Sequence, residues 1–153
     1  MNTFLPYSSF DKSLKDLDMK RLGKQRVEGF QILRSLTGLS NGKGWRNHPC
    51  TLMWKGNEVL LAHYTIASCD IWLDRGYKDS LREQVYEILN QIPGSKEEMH
   101  EVPWWLGNED FHKSHQSNLK RKDPIHYGHY DVEDDLPYLW PTEDRKFRII
   151  ERK

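Results

Sequence analysis

Residues Met19 to Leu36 repeat at helical spacing, and one charged residue falls on the wrong side of the repeat. On a helical wheel Leu22, Gly29, Leu33 and Leu36 gather on one face, with Phe30 and Ile32 at its margins. Glu28 falls on the far side beside Arg21, Lys24, Gln31 and Ser35, whereas Arg26 lies inside the apolar stripe. Such a stripe demands a helix buried on one side, and a guanidinium within it must find a partner or open into a cleft. Two readings of Arg21–Glu28 stand side by side. One is a solvated face with local ion pairs such as Lys24 with Glu28. The other is a carboxylate held among cations at the edge of a core, which suits acid/base work near a phosphate backbone.

The remaining punctuation predicts more helices. Pro6 holds Leu5 out of helix, Ser9 caps a short helix over Phe10–Leu17, and Asp18 caps the long one at Met19. Thr37-Gly38 ends that helix, and residues 40–44 form a glycine-rich turn without the Lys-Ser/Thr pair of a phosphate loop. Pro49, with Asn47 or His48 as cap, opens a helix expected to run to about Arg75 and stop at Gly76. It carries Leu52, Leu60, His63, Ala67 and Ile71 at core spacing, so His63 reads as a core histidine, while Gly56 marks a bend or a close contact. Asp79 caps a helix over Ser80–Gln91, and Asn108 caps the last one, which has Glu109 and Asp110 first and Lys120, Arg121 and Lys122 last, matching the helix dipole. Between them, Trp104-Trp105 reads as a hydrophobic plug or as a stacking surface for bases. Residues 136–141 form a packing segment, and partial alternation at 147–150 allows a short strand. No repeat or domain boundary interrupts the chain. The expectation is one all-α domain over 1–153 with long ordered loops, its globular part about 1–141 and a charged tail at 142–153.

Formal net charge is +0, which by itself argues against a nucleic-acid binder, but the charge is not evenly spread. From Asp11 to Arg46 there are nine Lys/Arg against four acids, and from His112 to Tyr130 four against one. Acidic blocks elsewhere balance them, so one positive face remains compatible with the total. No run approaches the roughly 20 apolar residues of a membrane span. The first residues lack a secretory pattern, and the two cysteines, Cys50 and Cys69, lie in apolar surroundings. A cytoplasmic location without membrane or obligate protein partner is expected.

Four histidines (His112, His115, His126, His129) lie close together, but without the cysteine or His-Glu-x-x-His spacing of a metal site, so no metal and no cofactor is expected. A basic helix end beside aromatic residues suits phosphate contacts from this segment, and it suits equally a helix end that complements its own dipole. With no Gly-x-Ser-x-Gly, kinase or dinucleotide fingerprint, chemistry is left to amines, carboxylates or histidines.

Five stretches carry a resemblance: Thr3–Pro6, Arg21–Glu28, Gly44–Pro49, Arg121–Tyr127 and Leu136–Pro141. With them the chain resembles the bacteriophage pyrimidine-dimer DNA glycosylase/AP lyase family, the endonuclease V type, and resembles more specifically a group of small bacterial proteins classed with it. Leu22 and Glu28 fall in register with the phage enzyme's leucine and catalytic glutamate, and Arg75-Gly76-Tyr77 matches a helix ending. The resemblance implies a compact helical fold and an N-terminal α-amine that attacks C1′ of a damaged nucleotide, displaces the base and leaves a Schiff base. Glu28 would assist and promote β-elimination. An α-amine is roughly a tenth neutral at pH 7, against about 0.04% for an ordinary lysine, which makes it the readier nucleophile. Asn2 is too large for ordinary removal of an initiator Met, so the free amine is expected on Met1, with Asn2 beside it in the catalytic group. Arg21, Lys24, Arg26, Arg46, His48, His115, Lys120, Arg121, Lys122, His126 and Tyr127 are expected to bind the nucleic acid. The phage enzyme's flanking arginines are replaced here by Val27 and Gln31. DNA is the expected partner, with RNA or a nucleotide as other substrates. Two alternatives accompany the lyase: a non-catalytic nucleic-acid-binding module on the same fold, and a nucleotide or base-modification hydrolase using Glu28 and the histidines.

Overall fold

In the computed structural model, which describes residues 1–39 and 46–150, the expected caps build the expected helices. The Ser9 side chain accepts from Lys12 N and opens α1, Phe10–Lys15. Asp18 accepts from Arg21 N and opens α2, Met19–Leu36, which closes at Thr37 before Gly38 in the left-handed region. The glycine-rich turn at 40–44 and Trp45 lie outside the described residues.

The helix expected from Pro49 to Arg75 is two helices. His48 caps α3, Pro49–Trp54, and after a break α4 runs Glu58–Asp74. Gly56 sits in the break at φ 84°, with nothing within 4 Å of an added Cβ, so backbone conformation rather than close packing requires glycine there. The break turns the face of α4, and His63 is exposed rather than in the core. Next come α5, Arg82–Gln91, and α6, Glu109–Lys122, capped by Asn108. Asp79 accepts from both Leu81 N and Arg82 N just ahead of α5.

The chain is not all-α. Tyr138–Pro141 (β1) pairs antiparallel with Phe147–Ile150 (β2), Tyr138 opposite Ile150 and Pro141 opposite Phe147. Alternation puts Tyr138 and Trp140 inward onto α6, where both are buried. The sheet therefore takes 147–150 into the globular part, which the charge pattern had assigned to a tail. Among the described residues no helix is long and apolar enough to cross a membrane.

The core lies between α2 and α4, closed below by α6 and the hairpin. At the α2–α4 crossing a Cβ on Gly29 would stand 2.4 Å from Thr65 Oγ1, so the helices meet there at a distance only glycine allows. Trp105 is buried in edge contact with Trp54 and plugs the core, whereas Trp104 rests partly exposed against Phe147. Residues 1–6 have no regular structure and yet run through this interior, with Thr3 to Pro6 buried.

Candidate active site

A buried irregular segment must satisfy its backbone polar groups with side chains, and here three helices supply them. From α2, Gln25 Nε2 donates to Asn2 O at 3.1 Å and its Oε1 accepts from Phe4 N at 2.8 Å. From α4, the Tyr64 hydroxyl lies 2.8 Å from Phe4 O and 2.6 Å from Gln25 Oε1. From α6, His115 Nδ1 accepts from Leu5 N at 3.0 Å, His112 Nδ1 lies 2.8 Å from Leu5 O, and Gln116 donates to Pro6 O at 2.7 Å. Trp54 Nε1 donates to Thr3 Oγ1, and Tyr138 donates to Asn2 Oδ1 at 2.8 Å.

The two histidines read opposite ends of Leu5. His112 Nε2 accepts from Gly107 N, so its Nδ1 carries the proton it gives Leu5 O. His115 accepts at Nδ1 and carries its proton on Nε2. Both roles need a neutral ring. Burial lowers both pKa values, that of His115 to about 3, with the neighbouring His112 adding to the effect. Burial likewise pushes the Tyr64 and Tyr138 phenols well above their ordinary value, so they remain neutral donors.

This clamp delivers the start of the chain to Glu28. The Asn2 backbone N–H donates to Glu28 Oε2 at 2.8 Å. Around the pair lies a cavity of about 280 Å³ lined by Met1, Asn2, Phe4, Lys20, Arg21, Lys24, Gln25, Glu28 and Lys122. Four cations thus face one carboxylate. Arg21 is oriented by Asp18 at 3.1 Å. Burial works to raise the Asp18 pKa, but hydrogen bonds from Tyr127 and Arg21 outweigh it and hold this carboxyl low. On the other side of Met1 and Asn2 lies a second cavity of about 390 Å³, lined by His48, Asn118, Arg121, Lys122, Tyr138 and Trp140 among others. Lys122 belongs to both.

The structure gathers Met1, Asn2, Arg21, Lys24, Glu28, His48, Arg121 and Lys122 around these two cavities. The other expected contacts stand elsewhere. Arg26 is paired with Asp79, whose side chain is fully buried, and stacks on Trp72, so the pairing that its place in the apolar stripe demands is internal. His115 and Tyr127 have no exposed surface, which excludes a phosphate contact by either ring. Tyr127 instead donates to Asp18. Lys120 donates to the carbonyls of Tyr130 and Val132, both at 3.0 Å, and so holds the following loop. His126 binds Asp16 O while remaining exposed, and Arg46 stands exposed in the turn before Pro49.

Residues not foreseen complete the site: Lys20, Phe4, Gln25, Asn118, Tyr138 and Trp140. Gln25 carried a readable signal, since it lies three residues after Leu22 and four before Gly29, on the buried face. A buried glutamine between apolar neighbours must serve other polar groups, and here it serves the segment leading to Glu28. Neither cysteine competes as a nucleophile: both are buried, and burial raises each thiol to about 12.

A family model described as pyrimidine dimer DNA glycosylase matches residues 1–84, which hold α1, α2, Glu28 and the clamped N-terminal segment. No curated protein and no solved structure matches the chain.

Proposed function

This chain belongs to the pyrimidine dimer DNA glycosylase family, and we propose that it is a DNA glycosylase with AP-lyase activity on a damaged or modified base, working through an amine at the Glu28 cavity. The α-amine of Met1 attacks C1′; the N-glycosidic bond breaks, and the base leaves with its electron pair and takes up a proton. The sugar opens to an imine on the amine nitrogen. Glu28 then removes a 2′ proton, the C3′–O bond breaks, and the 3′ phosphate departs as the leaving group. Lys20, Arg21, Lys24 and Lys122 balance the phosphates that must lie on either side of an extruded nucleotide.

The observation that carries this reading is the Glu28 carboxylate held 2.8 Å from the Asn2 nitrogen inside a four-cation cavity. An amine one residue away, a base and a cationic surround are what the elimination requires. In the chain as it stands that nitrogen is an amide, so Glu28 also positions the segment that presents the amine.

The test is base release and borohydride trapping on duplexes carrying single ultraviolet photoproducts or alkylated bases. The wild-type chain is expected to form a covalent adduct and cut the strand; on these lesions an N-terminally acetylated form is expected to do neither, and Glu28→Gln is expected to lose strand cleavage. No base release across the panel overturns the glycosylase reading. Salt-sensitive binding that survives both changes without cleavage would mark a binding module instead.

A further inference from the structure

Lys122 ends α6 and, with Met1 and Asn2, lines both cavities. It is exposed, so a bound strand can reach it. Its ammonium lies 5.6 Å from the centre of the Phe4 ring, on the wall of the Glu28 cavity. Resting on the reading above, we propose that the Lys122 ε-amine is a second nucleophile of this site, forming its own imine with the ring-opened aldehyde of an abasic nucleotide.

The electrostatic setting favours that chemistry. Packing of protein around the ammonium lowers its pKa below that of an ordinary lysine, the charges of Arg21, Arg121 and Lys24 lower it further, and Glu28 opposes. Each unit of lowering raises the neutral fraction at pH 7 about tenfold from its very small starting value. Lys20 and Lys24 line the Glu28 cavity but not the second one. Lys120 is tied to two carbonyls.

The two amines face electrophiles of different difficulty. Displacing a base from an intact nucleotide needs a nucleophile placed in line at C1′, whereas an abasic site already offers a free aldehyde. The Lys122 nitrogen adds its lone pair to C1′, the carbonyl oxygen takes up protons and leaves as water, and a protonated imine remains. Glu28, facing the same cavity, takes the 2′ proton; the C3′–O bond breaks and the 3′ phosphate leaves. Hydrolysis of the imine returns the amine. The reaction needs no oxidant or external reductant.

The experiment is borohydride trapping of the full chain on a duplex with one abasic site, followed by proteolysis and mass mapping of the modified residue. It is run on wild type, on the N-terminally acetylated form, and on that form carrying Lys122→Arg, which keeps the charge and removes the nucleophile. The acetylated form is expected to retain an adduct on Lys122 and to lose it by roughly tenfold or more with Lys122→Arg. Adding Glu28→Gln to the acetylated form is expected to preserve the trapped adduct while slowing strand cleavage. An adduct confined to the N-terminal residue, or spread over Lys20 and Lys24 and unaffected by Lys122→Arg, overturns the role of Lys122 and leaves the glycosylase reading intact. Base release absent on photoproducts with Lys122 still trapped on abasic DNA has the opposite meaning: the glycosylase reading falls and this one stands.

Discussion

Two carboxylates flank the same two turns of α2 and meet opposite fates. On one side Asp79 takes Arg26 as its cation, accepts two backbone N–H groups at the head of α5, and has its side chain sealed from solvent, while Arg26 stacks on Trp72. On the other side Glu28 accepts one backbone N–H from Asn2 and faces Lys20, Arg21, Lys24 and Lys122 across an open cavity. The first is a closed pair in which every charge is matched, so it has nothing left to offer a ligand. The second carries surplus positive charge and open volume, which is the condition for attracting a polyanion and doing proton transfer beside it. The difference lies in stoichiometry and access, not in residue type.

Removing each carboxylate's function separates the two sides most sharply. Glu28→Gln keeps an acceptor for the Asn2 N–H and removes the proposed base, so strand cleavage is expected to fall by about 10² to 10⁴-fold. The thermal midpoint should hardly move, and an equal loss of stability would place Glu28 on the structural side. Arg26→Met is the converse: it leaves Asp79 buried without its cation and is expected to cost about 3–5 kcal/mol in denaturant unfolding. Low-salt DNA affinity per folded molecule should be unchanged, and a selective affinity loss would move Arg26 to the ligand side.

Acid probes the clamp that serves the open side. Folded, His115 stays neutral down to about pH 3, whereas the unfolded chain protonates it near 6.5. Between those values the unfolded state binds more protons, so stability is full above about pH 6.5 and is lost as pH falls toward 3. The loss is on the order of 4 kcal/mol; His112 shifts in the same direction. Unfolding midpoints followed from pH 7 to pH 4 check this, and a flat profile would mean that the Leu5 clamp does not rely on a neutral ring. The smallest effect is expected from Lys24→Ala. This exposed cation should alter stability by less than about 0.5 kcal/mol, but lower the slope of log affinity against log salt by about one. An unchanged slope would take Lys24 out of the phosphate path.

Hairpin and helix break show where local pattern stops being sufficient. The chain order already marked α2 to the residue, because Asp18, the apolar stripe and Thr37-Gly38 are all local signals. It also marked the caps at Ser9 and Asn108 and narrowed that of α3 to Asn47 or His48, of which the structure uses His48. It did not mark the division at Gly56, since apolar spacing continues across the break, nor the pairing of Tyr138–Pro141 with Phe147–Ile150, which depends on two segments meeting. For the candidate site, residue order singled out Glu28 as an expectation, together with the surplus of cations and the misplaced Arg26.

Which cations face Glu28 was a tertiary decision. Arg26 and Lys24 are two residues apart on one helix, and only the position of Asp79, far along the chain, turns one inward as a partner and leaves the other at the cavity. Lys120 and Lys122 divide in the same way, because the loop at 130–132 folds back onto one and the N-terminal segment runs beside the other. Helical periodicity is set by neighbours along the backbone and can be read from order alone. Charge pairing over distances of an ion pair is set by whatever the fold brings within reach, and no spacing rule encodes that.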